Sequence, residues 1–346
     1  MKTRTIFILS LIVLLAFALQ LTAGKDNPVV EKKGQSLKIA PQVAAVMDAD
    51  MPLRKNRGDI PMAYLRTLYL PFQQNQVYPV FLFQVKNADL GFTASAEAPG
   101  LLKASHYAFI RVYRVENGIA GEIVKEHFIR FDQEEAQQGF QPEALNYYSI
   151  YSGDFFPGGN YLLALALSTP DYAKISTSYV EFSLPDFSQL KDQLVTTPIF
   201  SVSSLQMIPA AETKMSVHKN SFVYNTLLMS PVMNNEFKAS GSLDLFYFIL
   251  GAKPDGATNA MSLQITYKFM KDGKEINKLA PQTVNSPIVS QPIALTFTEV
   301  TKDAKGKEME RKEKLLEPGD YVLGIELLDN VSKAKGIQEF KFKITL

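Results

Sequence analysis

The chain has no cysteine, no tryptophan and only three histidines among its 346 residues. Without cysteine there is no disulfide, no thiolate zinc framework and no lipid anchor on an N-terminal cysteine. An excess of charge is missing too: 36 Lys and Arg stand against 35 Asp and Glu. Such a balance leaves no electrostatic footprint for nucleic acid or for an anionic membrane surface. Also absent are a G-x-S-x-G elbow, a phosphate-binding glycine loop and a dinucleotide fingerprint. No stretch with helical period runs beyond three turns.

What is present begins with an address. Lys2 and Arg4 precede the apolar run IFILSLIVLLAFALQL, and LTAG at Leu21–Gly24 offers the small residues that a signal peptidase accepts. Residues 1–23 are predicted to be a secretory signal cleaved near Ala23, leaving no integral membrane span; the competing reading is an uncleaved anchor. Loss of Lys2 and Arg4 takes the formal charge from +1 to −1. A secreted chain without disulfides is held by burial alone, and the composition, 46% hydrophobic and 21% charged, provides for it. Freedom from cysteine fits the bacterial cell envelope, periplasmic or secreted, better than a eukaryotic secretory route.

Residues 24–60 are polar and punctuated by Pro28, Pro41 and Pro52, and read as a flexible leader with one helical turn in QVAAVMDA. From there the texture changes to short runs rich in Val, Ile, Phe and Tyr between Gly, Pro, Asn and Asp: VYPVFLFQV, YAFIRVYRV, YLLALALS and SYVEFSL. A second series follows: SLDLFYFIL, SLQITYKFM, YVLGIELLD and IQEFKFKI. The pattern predicts an all-β chain of two tandem antiparallel β-sandwiches, 61–187 and 205–346, joined by a linker over 188–204.

The two halves repeat one another. FFPGGNYLLALALST at Phe155–Thr169 matches LLEPGDYVLGIELLD at Leu315–Asp329, and RVYRVENG at Arg111–Gly118 matches TYKFMKDG at Thr266–Gly273. Asn-Gly and Asp-Gly are the dipeptides of tight hairpins. Tyr161 and Tyr321 follow Pro-Gly at the start of a late strand, where a sandwich tyrosine turns its hydroxyl back onto the chain and locks a corner. Leu163, Leu165 and Leu167, like Leu323, Ile325 and Leu327, are predicted core positions.

On these residues the chain resembles tandem immunoglobulin-like or fibronectin type III-like units of secreted bacterial proteins. LVTTPIFSVSSLQM, with GSLDLFYFILGA and LQITYKFMKDGKEI after it, resembles the region preceding the C-terminal domain of GWxTD-domain proteins. The GWxTD motif itself is absent, as the chain has no tryptophan. The resemblance implies architecture and carries no active residues.

Candidate chemistry is sparse. His106, His127 and His218 lack the i, i+4 spacing of a helical zinc pair, and no metal or cofactor is expected. KPDGATN and LLDNVSK read as turns rather than calcium loops. TKDAKGKEMERKEK at Thr301–Lys314 mixes both signs and reads as a solvated hairpin with DAKG as its turn.

One asymmetry between the copies points to binding. With Gly118 set against Gly273, Ala108, Ile110 and Val112 take the core side, as do Leu263, Ile265 and Tyr267. The outer face is polar in the second copy, at Gln264, Thr266 and Lys268. In the first it holds Tyr107, Phe109, Arg111 and Tyr113, a composition enriched at binding hot spots. Either a protein or carbohydrate partner meets this stripe, or the leader or the neighbouring domain covers it. The sequence thus predicts a non-catalytic structural or protein-interaction protein of the envelope. Carbohydrate or envelope-polymer binding is the alternative, and a hydrolase with its site on sandwich loops is the third reading.

Overall fold

The computed structural model describes residues 39–71, 76–190, 193–302 and 308–345. The expected signal segment, the first part of the leader and the DAKG turn lie outside the described residues. The fold is all-β, with strands paired mostly antiparallel and one strand pair parallel. The chain divides into two compact units. The first takes residues 37–191 and 200–234; the second takes 192–199 and 235–346.

The first unit opens with helix α1 (Pro41–Asp50) and continues through β1 (Met62–Pro71), β2 (Gln76–Lys86), β3 (Thr93–Ala94), β4 (Leu101–Glu116), β5 (Ile119–Ala136), β6 (Leu145–Tyr151), β7 (Phe156–Pro157), β8 (Gly159–Ser168) and β9 (Ile175–Leu184). After β10 (Val195–Thr196), which belongs to the second unit, the chain returns to the first with β11 (Phe200–Met207), β12 (Ser216–Lys219), β13 (Phe222–Tyr224) and β14 (Leu227–Pro231). The second unit then completes itself with β15 (Glu236–Lys238), β16 (Ser242–Leu250), β17 (Leu263–Lys271), β18 (Lys274–Lys278), β19 (Gln282–Val284), β20 (Ile288–Ala294), β21 (Thr296–Lys302), β22 (Glu308–Leu315), β23 (Gly319–Asp329) and β24 (Lys335–Thr345).

In the first sandwich, β1, β2, β6 and β12 lie in one sheet, while β4 is flanked by β5 on one side and by β8, then β9, on the other. Alternation sends Phe81 and Phe83 of β2, Tyr148 and Ile150 of β6, Ala108, Ile110 and Val112 of β4, and Leu163, Leu165 and Leu167 of β8 into one buried core. The second core is built likewise from Leu263, Ile265 and Tyr267 of β17 and Leu323, Ile325 and Leu327 of β23, with β16 and β24.

Residues 200–234 group with the first unit, although the sequence places everything after 205 in the second sandwich. The pairing of one strand, β12, and a set of side-chain hydrogen bonds explain the difference. Strand β12 adds to the edge of β6, Tyr78 donates to the Val223 carbonyl at 2.9 Å, and Tyr224 donates to the Pro71 carbonyl at 2.7 Å. A chain of amides runs from Asn220 to Asn146 at 3.0 Å and from Asn146 to Asn87 at 2.7 Å, which pins the turn after β12. These contacts join residues far apart in sequence, where composition gives no signal.

The repeated turns share their geometry. Asn117 and Gly118 have φ of 51° and 77°, and Asp272 and Gly273 have 51° and 73°, the paired positive torsions of a two-residue hairpin turn. Tyr161 donates to the Pro157 carbonyl and Tyr321 to the Glu317 carbonyl, each at 2.8 Å and four residues back. Each ring stacks on a phenylalanine of the next strand, Tyr161 on Phe182 at 5.4 Å and Tyr321 on Phe342 at 5.5 Å. Each also has a cation over it, Arg114 at 5.9 Å and Lys271 at 5.2 Å from the ring centroid.

The glycine that matches Gly319, by its positive φ, is Gly159 rather than Gly158. Gly158 serves close approach instead, since a Cβ there would sit 2.5 Å from the Asp186 Cα. Tyr161→Phe is expected to lose about 1 kcal/mol, the net value of a typical hydrogen bond. Gly158→Ala is expected to lose about 1–3 kcal/mol through overpacking. Urea unfolding of the two variants measures both losses and their order.

Candidate functional site

The outer face of β4 carries the sequence-predicted stripe. Tyr107, Phe109, Arg111 and Tyr113 all point away from the core, as the alternation requires. What lies over them is the chain's own leader. Phe109, Arg111 and Tyr113 are 0%, 6% and 3% exposed, because α1 rests on this face with Val43 and Met47 fully buried against it. From Ile39 onward, then, the segment read as a flexible leader is an ordered part of the sandwich. Its fully buried apolar residues are a single i, i+4 pair, Val43 and Met47, and the third buried position is the charged Asp50, which gives no recognisable amphipathic pattern.

The seat for the helix is made by small residues. Ala164 and Ala166 of β8 lie between Phe109 and Tyr113 of β4 and Ile175 and Tyr179 of β9, which leaves a groove that α1 fills. Pro41 starts the helix with its φ already set, and Met51–Leu53 continues as one tight 3-10 turn. Polar groups hold the register. Arg111 is ion-paired with Asp48 of α1 and with Glu126 of β5, Tyr179 donates to the Met47 carbonyl at 2.8 Å, and buried Asp50 pairs with Arg57.

Past the helix, residues 55–60 run along β9. Arg57 and Thr177 exchange backbone bonds at 3.1 and 3.2 Å, Asn56 accepts from the Tyr179 amide at 3.0 Å, and Asp59 accepts from the Ile175 amide at 3.1 Å. One edge of the sheet is thereby covered. The other edge is β5, which among the described residues pairs with β4 and no further strand. Its first residues are apolar and exposed: Ile119 at 72%, Ile123 at 43% and Val124 at 37%. Leu53 is 81% exposed, and the side chain of the next residue, Arg54, donates to the Gly118 carbonyl at 3.4 Å.

Of the four stripe residues, only Tyr107 keeps part of its surface in solvent. Two rings that the sequence reading passed over join it. Tyr172, in the turn between β8 and β9, lies 5.9 Å from Tyr107 with planes 21° apart, and Phe128 of β5 lies 6.1 Å away, edge-on. Beyond the rings on the same face, Ser105 donates to Asp132, and Arg130 reaches Asp132 at 3.2 Å and Ser105 at 3.4 Å. The Ser105 hydroxyl, followed by Arg130, holds the Asp132 carboxyl below the usual carboxylate range. A positive φ at Tyr172, 58°, was the feature no sequence pattern could give.

The histidines stand apart from one another. His106 is buried in the first core, and burial pushes its imidazole down to about 4. His127 is also lowered, by burial and then by Lys125. His218 bonds Glu212 at 2.8 and 3.0 Å, and Ser216 donates to the same carboxylate at 2.6 Å. Among the described residues no three His, Cys, Asp or Glu side chains converge as metal ligands.

No family model and no curated protein matches the sequence. Among solved structures the chain is similar to the C-terminal domain of the Streptococcus pyogenes antigen I/II-family protein AspA, at 10% identity and a TM-score of 0.19, over 80% of this chain and 98% of that one. It is similar to Salmonella alpha-2-macroglobulin at 10% identity and a TM-score of 0.17, over 82% of this chain, which spans 16% of that protein's length. The Streptococcus agalactiae BspA C-terminal domain gives 10% identity and a TM-score of 0.16, over 82% and 99% of the two chains. Likeness at this level carries nothing about ligand or activity.

Two outcomes follow from the packing. Met47→Ala is expected to lose about 2–4 kcal/mol from the removal of a buried side chain. Limited proteolysis would then cut within residues 40–60 faster than in the parent. His106 binds its proton less readily folded than unfolded, so the unfolded chain takes up more protons as the pH falls. Stability is therefore expected to drop between pH 6.5 and about 4, by roughly 3 kcal/mol. His106→Leu should flatten that part of the profile in urea titrations at stepped pH.

Proposed function

We propose that the protein is a non-catalytic interaction or structural protein of the bacterial cell envelope, secreted or periplasmic, built like the region that precedes the C-terminal domain in GWxTD-domain proteins. The supporting observation is the contrast between the two edges of the sheet that contains β4. The β9 edge is covered by residues 55–60, whereas β5 has an unpaired side among the described residues. Exposed edges invite strand addition, and folded proteins blunt them with charge.

On β5 the charges are unevenly placed. Lys125, Glu126, Arg130, Asp132, Glu134 and Glu135 guard the later part, while Ile119 to Val124 contains one charge, Glu122, among exposed apolar residues. That stretch suits an extended segment of another protein that adds as a further strand, with main-chain bonds for affinity and side-chain contacts for choice.

A photo-crosslinking residue at Ile123, in cells that carry the chain natively, tests the reading. It is expected to yield a discrete protein adduct, and a crosslinker at Glu181 on the covered edge is expected to yield none. Replacing Ile119 and Val124 by lysine should abolish the adduct while changing stability by no more than about 0.5 kcal/mol, as for exposed substitutions in general. Equal labelling at the two positions, or an adduct indifferent to the added lysines, would overturn the proposal.

A further inference from the structure

We infer that the exposed end of the α1 face is a binding site for an uncharged pyranose of a polysaccharide, with Tyr107 and Tyr172 as its stacking rings and Arg130 with Asp132 as its hydroxyl-binding pair. The inference stands apart from the strand-addition reading, because it uses side chains on the sheet face and a turn beyond β8, not the backbone edge of β5.

The rings come first. Register sets Tyr107 opposite Arg130 and Ser105 opposite Asp132, so one face runs from aromatic to polar within two residues along each strand. Tyr107 and Tyr172 are near-parallel at 21°, and both are part-exposed. A pyranose carries C–H groups on its faces and hydroxyls on its rim. It therefore fits an aromatic surface bordered by groups that donate and accept in one plane. Asp132 accepts and Arg130 donates, and their side chains are 59% and 54% exposed, with capacity left over beyond the bonds they make to each other and to Ser105.

Charge narrows the class of ligand. Arg130 is balanced by Asp132, and Lys103, the next basic group along the face, is balanced by Glu134 at 3.2 Å and Glu97 at 3.3 Å. With Arg130 and Lys103 each matched by carboxylates, a phosphate or sulfate polymer gains little from the polar end of the site. An uncharged glycan needs none.

The turn that carries Tyr172 supports the assignment. A tyrosine at φ 58° sits in a region that glycine or asparagine fills more readily, and the surrounding structure maintains it. The Tyr172 amide donates to the Thr169 carbonyl at 3.0 Å, the Ala173 amide donates to Asp171 at 3.1 Å, and the Lys174 amide donates to Thr169 Oγ1 at 3.2 Å. Three consecutive amides are thus tied down to hold one aromatic side chain where a glycine would serve the turn better.

The test uses the full chain and named probes: cellohexaose, maltohexaose and N-acetylchitohexaose as uncharged glycans, and dextran sulfate as the anionic one, followed by titration calorimetry. At least one uncharged hexasaccharide is expected to bind. Tyr172→Gly, which suits the backbone and keeps the melting temperature, should weaken that binding by about tenfold or more, as should Asp132→Asn. The double lysine variant at Ile119 and Val124 should bind the sugar as the parent does. Binding of dextran sulfate alone, binding of none of the four, or hexasaccharide binding unchanged in both site variants would overturn the inference.

Discussion

A tyrosine hydroxyl returning to the carbonyl four residues back is the contact on which each sandwich depends. It occurs twice, at Tyr161 and Tyr321, with the same length, and each ring has a phenylalanine stacked on it and a basic side chain over it, Arg114 in one case and Lys271 in the other. The bond fixes the phase of the strand that follows. A slip of one residue in β8 would exchange Leu163, Leu165 and Leu167 for Leu162, Ala164 and Ala166 in the core, and the helix seat would vanish with it. The corner thus settles two surfaces at once, the core that stabilises the unit and the outer face on which α1 rests.

The outer face and α1 are mutually dependent. A ten-residue helix with no side-chain N-cap and no charge complement at either end is marginal by itself, so its order comes from the groove it fills. Left bare, Phe109, Tyr113, Leu162 and Tyr179 would form an apolar patch of the kind that monomeric proteins avoid. Arg111, between Asp48 and Glu126, adds position more than energy. A buried ion pair is often replaceable by apolar side chains without loss, yet it discriminates sharply between one register of the helix and the next.

Features that rest on local pattern were legible in the sequence. Alternation gave the strands and their core sides, the Asn-Gly and Asp-Gly pairs gave the hairpins, and Pro-Gly before tyrosine gave the corners. The features that were not legible depend on distant partners. Asp48 meets Arg111 and Asn56 meets Tyr179, contacts that no window of sequence contains. Residues 200–234 have the texture of the second sandwich, yet the pairing of β12 with β6 and the hydrogen bonds of Tyr78 and Tyr224 group them with the first, because strand composition reports burial and not which distant residues supply it. Tyr172 escaped for a different reason. Its turn, STPDYAKI, has ordinary turn residues, and only the backbone torsion sets it apart.

The hairpin of β4 and β5 brings these threads together, since the leader covers its middle and leaves its two ends free. At the turn end the exposed groups are aliphatic and the strand carries one charge; at the far end they are aromatic and carry balanced charge. Aliphatic side chains beside unpaired backbone favour a partner that supplies a backbone of its own. Rings beside a neutral donor and acceptor pair favour a ligand that supplies hydroxyls. Both ends are positioned by one rigid ladder, and α1 braces that ladder through Arg111, which joins Asp48 of the helix to Glu126 of β5. A loss of the helix would therefore loosen both proposed surfaces together, which is the physical sense in which a segment that looks like a leader is part of the sandwich.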